Sequence, residues 1–71
     1  PPTRSWTSNK KREGYHHFEL KQFGGKGDNR WVELFPVLNT KVNLRIGWSE
    51  LKNKAEWTSG WKQLPKDEDS N

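Results

Sequence analysis

The side chains with the strongest potential for chemistry are the adjacent histidines His16 and His17. Imidazole nitrogens bind transition metals and exchange protons near neutral pH. Successive residues of a strand point to opposite faces, so this pair cannot chelate one ion from a regular strand. One ring is expected to pack beside Phe18 or bond to backbone, the other to be solvated. Cysteine is absent and no nucleophile is defined beside them, so the sequence predicts no catalytic residue, metal site or cofactor.

A glycine-rich segment, Gly24-Gly25-Lys26-Gly27, has the G-x-x-G spacing with which KH domains clamp a nucleic-acid backbone. That loop joins two helices, whereas strands are predicted on both sides of this segment, which favours a hairpin turn. No Lys-Ser/Thr pair follows at the spacing of a phosphate-binding P-loop. The turn can still present a lysine to phosphate, as can the basic run that begins at Lys10. Anion contact is therefore predicted for Lys10, Lys11, Arg12 and Lys26.

The charge of the chain is uneven. The formal net charge is +4 and the segment 66–69 carries −2, so residues 1–65 carry +6. A basic body favours anionic partners, namely nucleic acid, acidic protein surfaces or lipid headgroups. The composition predicts a flexible lead-in at residues 1–4, one domain at 5–64 and a flexible acidic tail at 65–71. Any targeting segment upstream of Pro1 stays unknown.

Tryptophan dominates the apolar composition. The chain has five tryptophans, three phenylalanines and one tyrosine, while only 28% of its residues are hydrophobic. Such a chain can form a core only if large aromatic side chains fill part of it, since each buries about 150–250 Å². Trp57 and Trp61 are expected to plug the open end of a small barrel, although they could instead stack on one helix face.

The strand at residues 15–23 and the hairpin at residues 31–48 are predicted to position the aromatic residues that they contain. Residues 15–23 alternate as a strand whose pattern breaks at Phe23, which indicates a bulge or strand end there. In the 31–48 segment, a two-residue loop would set Leu34 opposite Arg45. A three-residue loop sets Leu34 opposite Ile46 and gathers the aliphatic residues on one face, so it is preferred. The opposite face then presents a basic aromatic surface for a partner, made of Trp31, Phe35, Lys41, Arg45, Lys21 and Arg30.

A short helix is predicted after Gly47, with Ser49 as its N-cap and Gly60 as the stop after Trp57. Residues 61–64 would return as a final strand or extended arm. The fold class is therefore mainly β: a small, strongly bent antiparallel sheet or SH3-like partial barrel with one short helix near the C-terminus.

Several short motifs resemble a known family across residues 5–64. They are Ser5-Trp6-Thr7, Gly14 followed by His17-Phe18, Val32-Glu33-Leu34, Trp48-Ser49-Glu50-Leu51 and Trp57-Thr58-Ser59-Gly60-Trp61. They are similar to those of the short tryptophan-rich proteins of unknown function found in cyanobacteria and some proteobacteria, with plastid relatives. The resemblance implies a stand-alone domain in a phototroph, and it carries no catalytic role.

Together these patterns predict a non-catalytic accessory subunit. It would dock through its basic aromatic face on a larger protein complex, with a photosynthetic complex as the first expectation. The alternative is a module that binds single-stranded RNA or DNA, since aromatic rings beside cations also stack bases. No stretch approaches the roughly 18 apolar residues of a membrane span, so we expect a soluble or peripheral protein. Without cysteine it fits a reducing compartment, the chloroplast or the cyanobacterial cytoplasm.

Overall fold

Alternating apolar and polar residues build a single antiparallel sheet, which a computed structural model describes for residues 3–65. Its strand order is β4-β3-β2-β1-β5, and the sheet curves into a half-barrel. A 3₁₀ turn, Gly27–Asn29, joins two of the strands. The mainly β prediction is confirmed. The strands and the helix are β1 (Ser5–Arg12), β2 (Tyr15–Gly24), β3 (Trp31–Pro36), β4 (Leu44–Gly47), α1 (Trp48–Leu51) and β5 (Trp57–Ser59).

The core lies on one face of this sheet and mixes aromatic with aliphatic side chains. The rings of Phe18 and Trp57 meet edge to face, with centroids 5.6 Å apart. Trp57 is buried as expected, but Trp61 is 53% exposed, so it does not plug the barrel. The buried hydrophobic residues are Trp6, Phe18, Leu20, Val32, Leu34, Ile46, Leu51 and Trp57.

The first hairpin is longer than the polar pattern of residues 8–14 indicates. Polar residues in such a run are typical of a loop, but β1 continues to Arg12. The turn consists of Glu13 and Gly14, whose φ angles are +52° and +87°, the signature of a type I′ hairpin. The β1–β2 pairing shifts between Thr7 and Arg12, so the polar residues bulge from a strand instead of forming a loop.

The break in the β2 alternation comes from a bulge that lies before Phe23. The irregularity falls between Leu20 and Gln22. The extra residue, Lys21, returns Phe23 to the core side, where it pairs with Val32. Phe23 is nevertheless 59% exposed, because it lies beyond the packed part of that face.

The β3–β4 hairpin has a different register from the predicted one. Leu34 pairs with Leu44, and Val32 pairs with Ile46, a two-residue shift that keeps the paired residues of β3 and β4 on their predicted faces. The three-residue loop is wrong, because Pro36 ends β3 and residues 37–43 form turns. Asn39 N–H donates to the Pro36 carbonyl at 3.1 Å, and Val42 N–H donates to the Asn39 carbonyl at 3.2 Å.

Within residues 3–65, no further strand pairs with the edge strands β4 and β5, so the C-terminal part does not close the sheet. Gly47, not Ser49, is the N-cap of α1, and the helix ends at Leu51. Gly60, at φ +83°, follows β5 instead of ending a helix. Residues 61–65 then form an extended arm without strand pairing. The described part of the chain has no helix long and apolar enough to cross a membrane.

Both predicted flexible termini contain residues that contact the sheet. The carbonyl of Thr3 accepts the indole N–H of Trp6 at 2.7 Å, and the carbonyl of Arg4 accepts the Leu20 N–H at 2.7 Å. Pro65 lines a small cleft beside His16. The rest of the predicted lead-in and of the acidic tail lies outside the described residues.

Candidate binding site

The outer face of the sheet carries the predicted indole and guanidinium, but they bind each other. The Arg45 guanidinium carbon lies 3.9 Å from the centroid of the Trp31 ring. Glu33, in the same row, lies 3.7 Å from Arg45 and accepts a 2.7 Å hydrogen bond from Gln22. A cation, its carboxylate and its aromatic ring are therefore already paired within the protein.

The indole of Trp31 lies flat against β2. A Cβ added at Gly24 would come within 2.7 Å of its Cζ2 atom, whereas a Cβ at Gly47, which pairs with Trp31 from β4, would meet only the Ser49 hydroxyl at 3.8 Å, an ordinary contact. Trp31 is accordingly only half-exposed. The prediction that this ring faces away from the core is confirmed, and Arg45 lies over part of the contact surface predicted around it.

The other four residues of the predicted face are spread over the molecule. Phe35 is half-buried on the outer face, paired with Glu19, and Lys21 is exposed at the β2 bulge. Lys41 lies in the β3–β4 loop and not on a strand, because β4 begins only at Leu44. Arg30 precedes β3 and lies beside α1, as described below.

Among the predicted anion contacts, Arg12 has an internal role. Its guanidinium lies 2.7 Å from Glu50 and 3.1 Å from Glu56, and its side chain is only 12% exposed. Its Nε–H donates to the Ser8 hydroxyl at 2.9 Å, and its charge lies 4.8 Å from the Trp57 ring centroid. Two carboxylates already pair with Arg12, so it is less available to an external anion than the exposed lysines of the predicted set.

The three predicted lysine contacts are exposed. Lys10 forms a 3.4 Å salt bridge with Glu56 while keeping 65% of its side chain exposed, a contact of small energetic value. Lys11 is exposed beside it, and Lys26 is exposed in the turn before the 3₁₀ segment. Lys10 and Lys11 lie in β1, whereas Lys26 lies in the connection between β2 and β3.

The two histidines each bind a backbone carbonyl. His16 Nδ1 lies 2.8 Å from the carbonyl of Ser8, and His17 Nε2 lies 2.7 Å from the carbonyl of Lys62. A carbonyl oxygen only accepts hydrogen bonds, so His16 Nδ1 and His17 Nε2 each carry the proton and donate it. Both rings are half-buried, and His17 anchors the arm that follows β5. Within residues 3–65 no three His, Cys or carboxylate side chains group as metal ligands.

A cationic aromatic cluster does form, but beside α1. The cationic centres of Arg30 and Lys52 lie 6.0 Å and 5.9 Å from the ring centroid of Trp48. These three residues line a cleft of about 390 Å³, with Asp28 and Ser49 at its rim. The Trp48 N–H donates to the Arg30 carbonyl at 2.9 Å, which holds α1 against the start of β3.

A second cleft, of about 340 Å³, shares Lys52 with the first. Its apolar walls are Trp6, Leu51 and Trp57, and Lys54 adds a further cation. We call the two clefts together the helix-side surface; it is lined chiefly by Arg30, Trp48, Lys52, Lys54, Leu51 and Trp57.

The cations of the helix-side surface differ from Arg12 and Arg45 in their ion pairing. Among the described residues, no salt bridge involves Arg30, Lys52 or Lys54, whereas Arg12 and Arg45 both pair with carboxylates. Charges that are not neutralised internally are the ones that can attract an anionic partner.

Sequence reasoning found Arg30 but missed Lys52, Lys54 and Trp48 as its neighbours. The spacing of Trp48 and Lys52, four residues apart across a helix, was a usable signal. No signal in the sequence indicates that Trp48 and Lys52 approach Arg30, because that approach depends on how β4 pairs with β3.

The fold and its surfaces define a small antiparallel β domain with two clefts that share Lys52. The sequence profile of the tryptophan-rich protein family (DUF2389) matches residues 4–62, and the chain belongs to that family. No curated protein and no solved structure matches the chain.

Proposed function

We propose that this protein is a non-catalytic binding subunit that docks on an acidic surface of a larger protein complex. The observation that carries the proposal is the helix-side surface, where Arg30, Lys52 and Lys54 line two tryptophan-lined clefts and form no salt bridge with any carboxylate of residues 3–65. Tryptophan and arginine dominate the binding energy of protein interfaces, and cations beside them select an acidic partner.

The location of the surface also supports docking. Trp48 packs against the core while lining a cleft, so its position costs little entropy when a partner binds. The Trp31 cluster on the outer face is less suited, because its cation would have to leave both Glu33 and the indole. The docking site is therefore moved from the face predicted by the sequence to the helix side.

The family resemblance suggests which complex and which cellular compartment to test first. Because it implies a phototroph, the first partner to test is a photosynthetic complex, in the chloroplast or the cyanobacterial cytoplasm. The binding subunit would be peripheral to that complex.

Binding of single-stranded RNA or DNA is the second candidate, favoured by the two cations next to the Trp48 ring. Base stacking needs an open ring face and flanking charges for phosphate. Trp48 is half-buried, and a base would have to compete with Arg30 or Lys52 for its surface. Protein docking has no such requirement, so it ranks first.

Co-sedimentation of the tagged protein from a lysate of the source cells, with and without nuclease, tests the proposal. We expect the protein to move with a large complex in both conditions and to be released by the double reversal Lys52→Glu/Lys54→Glu. The matched control is Lys21→Glu/Lys41→Glu, which changes the net charge equally but away from the helix side. Release by nuclease would favour the nucleic-acid function, and sedimentation as a free small protein would contradict both.

A further inference from the structure

The second cleft of the helix-side surface lies along the free edge of the sheet. β5 is the last strand in the order and pairs only with β1. All three of its residues, Trp57, Thr58 and Ser59, line the cleft, although their side chains alternate between faces. A cleft that touches consecutive strand residues runs along the strand, so its shape suits an extended chain.

The hydrogen bonds of the β1–β5 ladder show which main-chain groups face the cleft. The main-chain N–H of Gly60 donates to the Ser5 carbonyl at 2.6 Å, and the main-chain N–H of Asn9 donates to the Glu56 carbonyl at 2.8 Å. Hydrogen-bonded and non-bonded pairs alternate in an antiparallel ladder, so Thr58 also bonds to β1. The main-chain groups of Trp57 and Ser59 therefore point away from β1.

Three of those groups lack a partner in the described part of the chain. The Trp57 N–H donates to the Asn53 carbonyl at 2.9 Å and is satisfied. The Trp57 carbonyl and both the N–H and the carbonyl of Ser59 take part in no hydrogen bond among residues 3–65. An edge of this kind is a template for another strand.

We propose that an extended acidic peptide segment of the partner protein adds to β5 as a sixth strand. Its residue opposite Ser59 would exchange two main-chain hydrogen bonds, and a further N–H would donate to the Trp57 carbonyl. This inference rests on the proposed docking function and names the part of the partner that docks.

The lining of the cleft specifies the side chains of that segment. Partner residues opposite Trp57 and Ser59 project to the core side, where Trp6 and Leu51 offer an apolar wall. Lys52 and Lys54 line the same cleft and would pair with flanking carboxylates. The expected pattern is one or two apolar side chains at alternate positions, bordered by Asp or Glu.

The same charges disfavour a second copy of this chain as the occupant. Antiparallel pairing of two β5 edges would bring the Lys52 and Lys54 side chains of both copies into one groove. Like charges placed together across an interface are unfavourable. A partner with acidic residues removes this repulsion.

The test is fluorescence anisotropy of a capped, labelled peptide of sequence DEFTVED, which carries the expected pattern. Ser59→Pro removes the edge N–H without changing charge, and it does not touch a bond to β1. Ser59→Ala is its matched control, because it removes the hydroxyl and keeps the N–H. We expect the proline variant to bind at least about tenfold more weakly and the alanine variant to bind like the wild type.

Two further measurements keep the result interpretable if the proline variant fails to fold. A peptide N-methylated at alternate amides should lose binding to the wild-type protein, since it cannot donate to the edge. A scrambled peptide of equal charge should bind about tenfold more weakly if pattern matters beyond electrostatics.

Equal binding of both peptides, or of both Ser59 variants, would overturn strand addition, as would a concentration-dependent dimer that blocks the peptide. Loss of binding in Lys52→Glu/Lys54→Glu with no effect of Ser59→Pro would leave the docking function standing and refute the edge pairing. Peptide binding by the edge in a protein that joins no complex would refute the docking function alone.

Discussion

Arg12 makes the strongest internal electrostatic contacts of the described chain, and its removal should destabilise the fold. We consider Arg12→Met, which keeps most of the apolar length of the side chain and removes the charge. The wild-type guanidinium reaches Glu50 at 2.7 Å and Glu56 at 3.1 Å. It also contacts the Ser8 hydroxyl and the Trp57 ring.

The magnitude follows from how much of each contact is screened. The carboxylate side chains are 43% and 36% exposed, so each ion pair contributes only about 0.5–1 kcal/mol, the upper part of the range for exposed pairs. The contact with Trp57 adds about 0.5–1 kcal/mol. Loss of all three gives about 2 kcal/mol, which lowers Tm by about 8–16 °C in a domain of this size.

Thermal and urea unfolding followed by tryptophan fluorescence measures the effect. Arg12→Lys should recover less than half of the loss, because an ammonium cannot reach two carboxylates and a hydroxyl in a fixed fork. Lys10→Met is the matched control, since Lys10 contacts the same Glu56 while 65% exposed, and it should change stability by less than about 0.5 kcal/mol. An Arg12→Met protein as stable as the Lys10→Met protein would refute the reasoning and return Arg12 to the set of free anion contacts.

Three further predictions concern other parts of the molecule. Gly24→Ala should lower the free energy of unfolding by about 1–2 kcal/mol, because its Cβ meets the Trp31 indole at 2.7 Å. Gly47→Ala, at the β4 position that pairs with Trp31, should be neutral or slightly stabilising in the same urea titration. Trp61→Phe should cost about 1 kcal/mol, since it removes the 2.9 Å hydrogen bond from the indole to the Phe18 carbonyl; an unchanged Tm would contradict that. Neutralising the acidic tail residues Asp67, Glu68 and Asp69 takes the net charge from +4 to +7. The change should strengthen binding of the acidic peptide roughly two- to fivefold at low ionic strength, but not at high ionic strength, where the charges are screened.

The faces of the β3–β4 hairpin show what a sequence pattern can predict. Alternation determines the side of the sheet on which a residue lies, and a register error of two residues preserves it. Val32 and Leu34 are therefore buried and Trp31 faces outward, although the predicted pairing was wrong. The loop length failed because Pro36 and Asn39 prefer turns whose extent depends on contacts outside the hairpin.

The candidate site was less predictable than the fold. The sequence shows that Arg30, Arg45 and Arg12 are cationic, but it does not show which cations have carboxylate partners. Arg12 meets Glu50 and Glu56, which lie far from it in the chain, only because the tertiary fold brings α1 and the segment before β5 to the end of β1. Pairing of this kind decides whether a charge stabilises the fold or is available to a partner.

By itself the sequence determined the mainly β class, the two faces of the β3–β4 hairpin and the supply of tryptophan and positive charge. These depend on local periodicity and composition, which act between near neighbours. Tertiary structure alone decided that Trp31 and Arg45 satisfy each other, and that Trp48, Lys52 and Arg30 meet beside α1. Such meetings join residues distant in the chain, and the geometry of a curved sheet sets them.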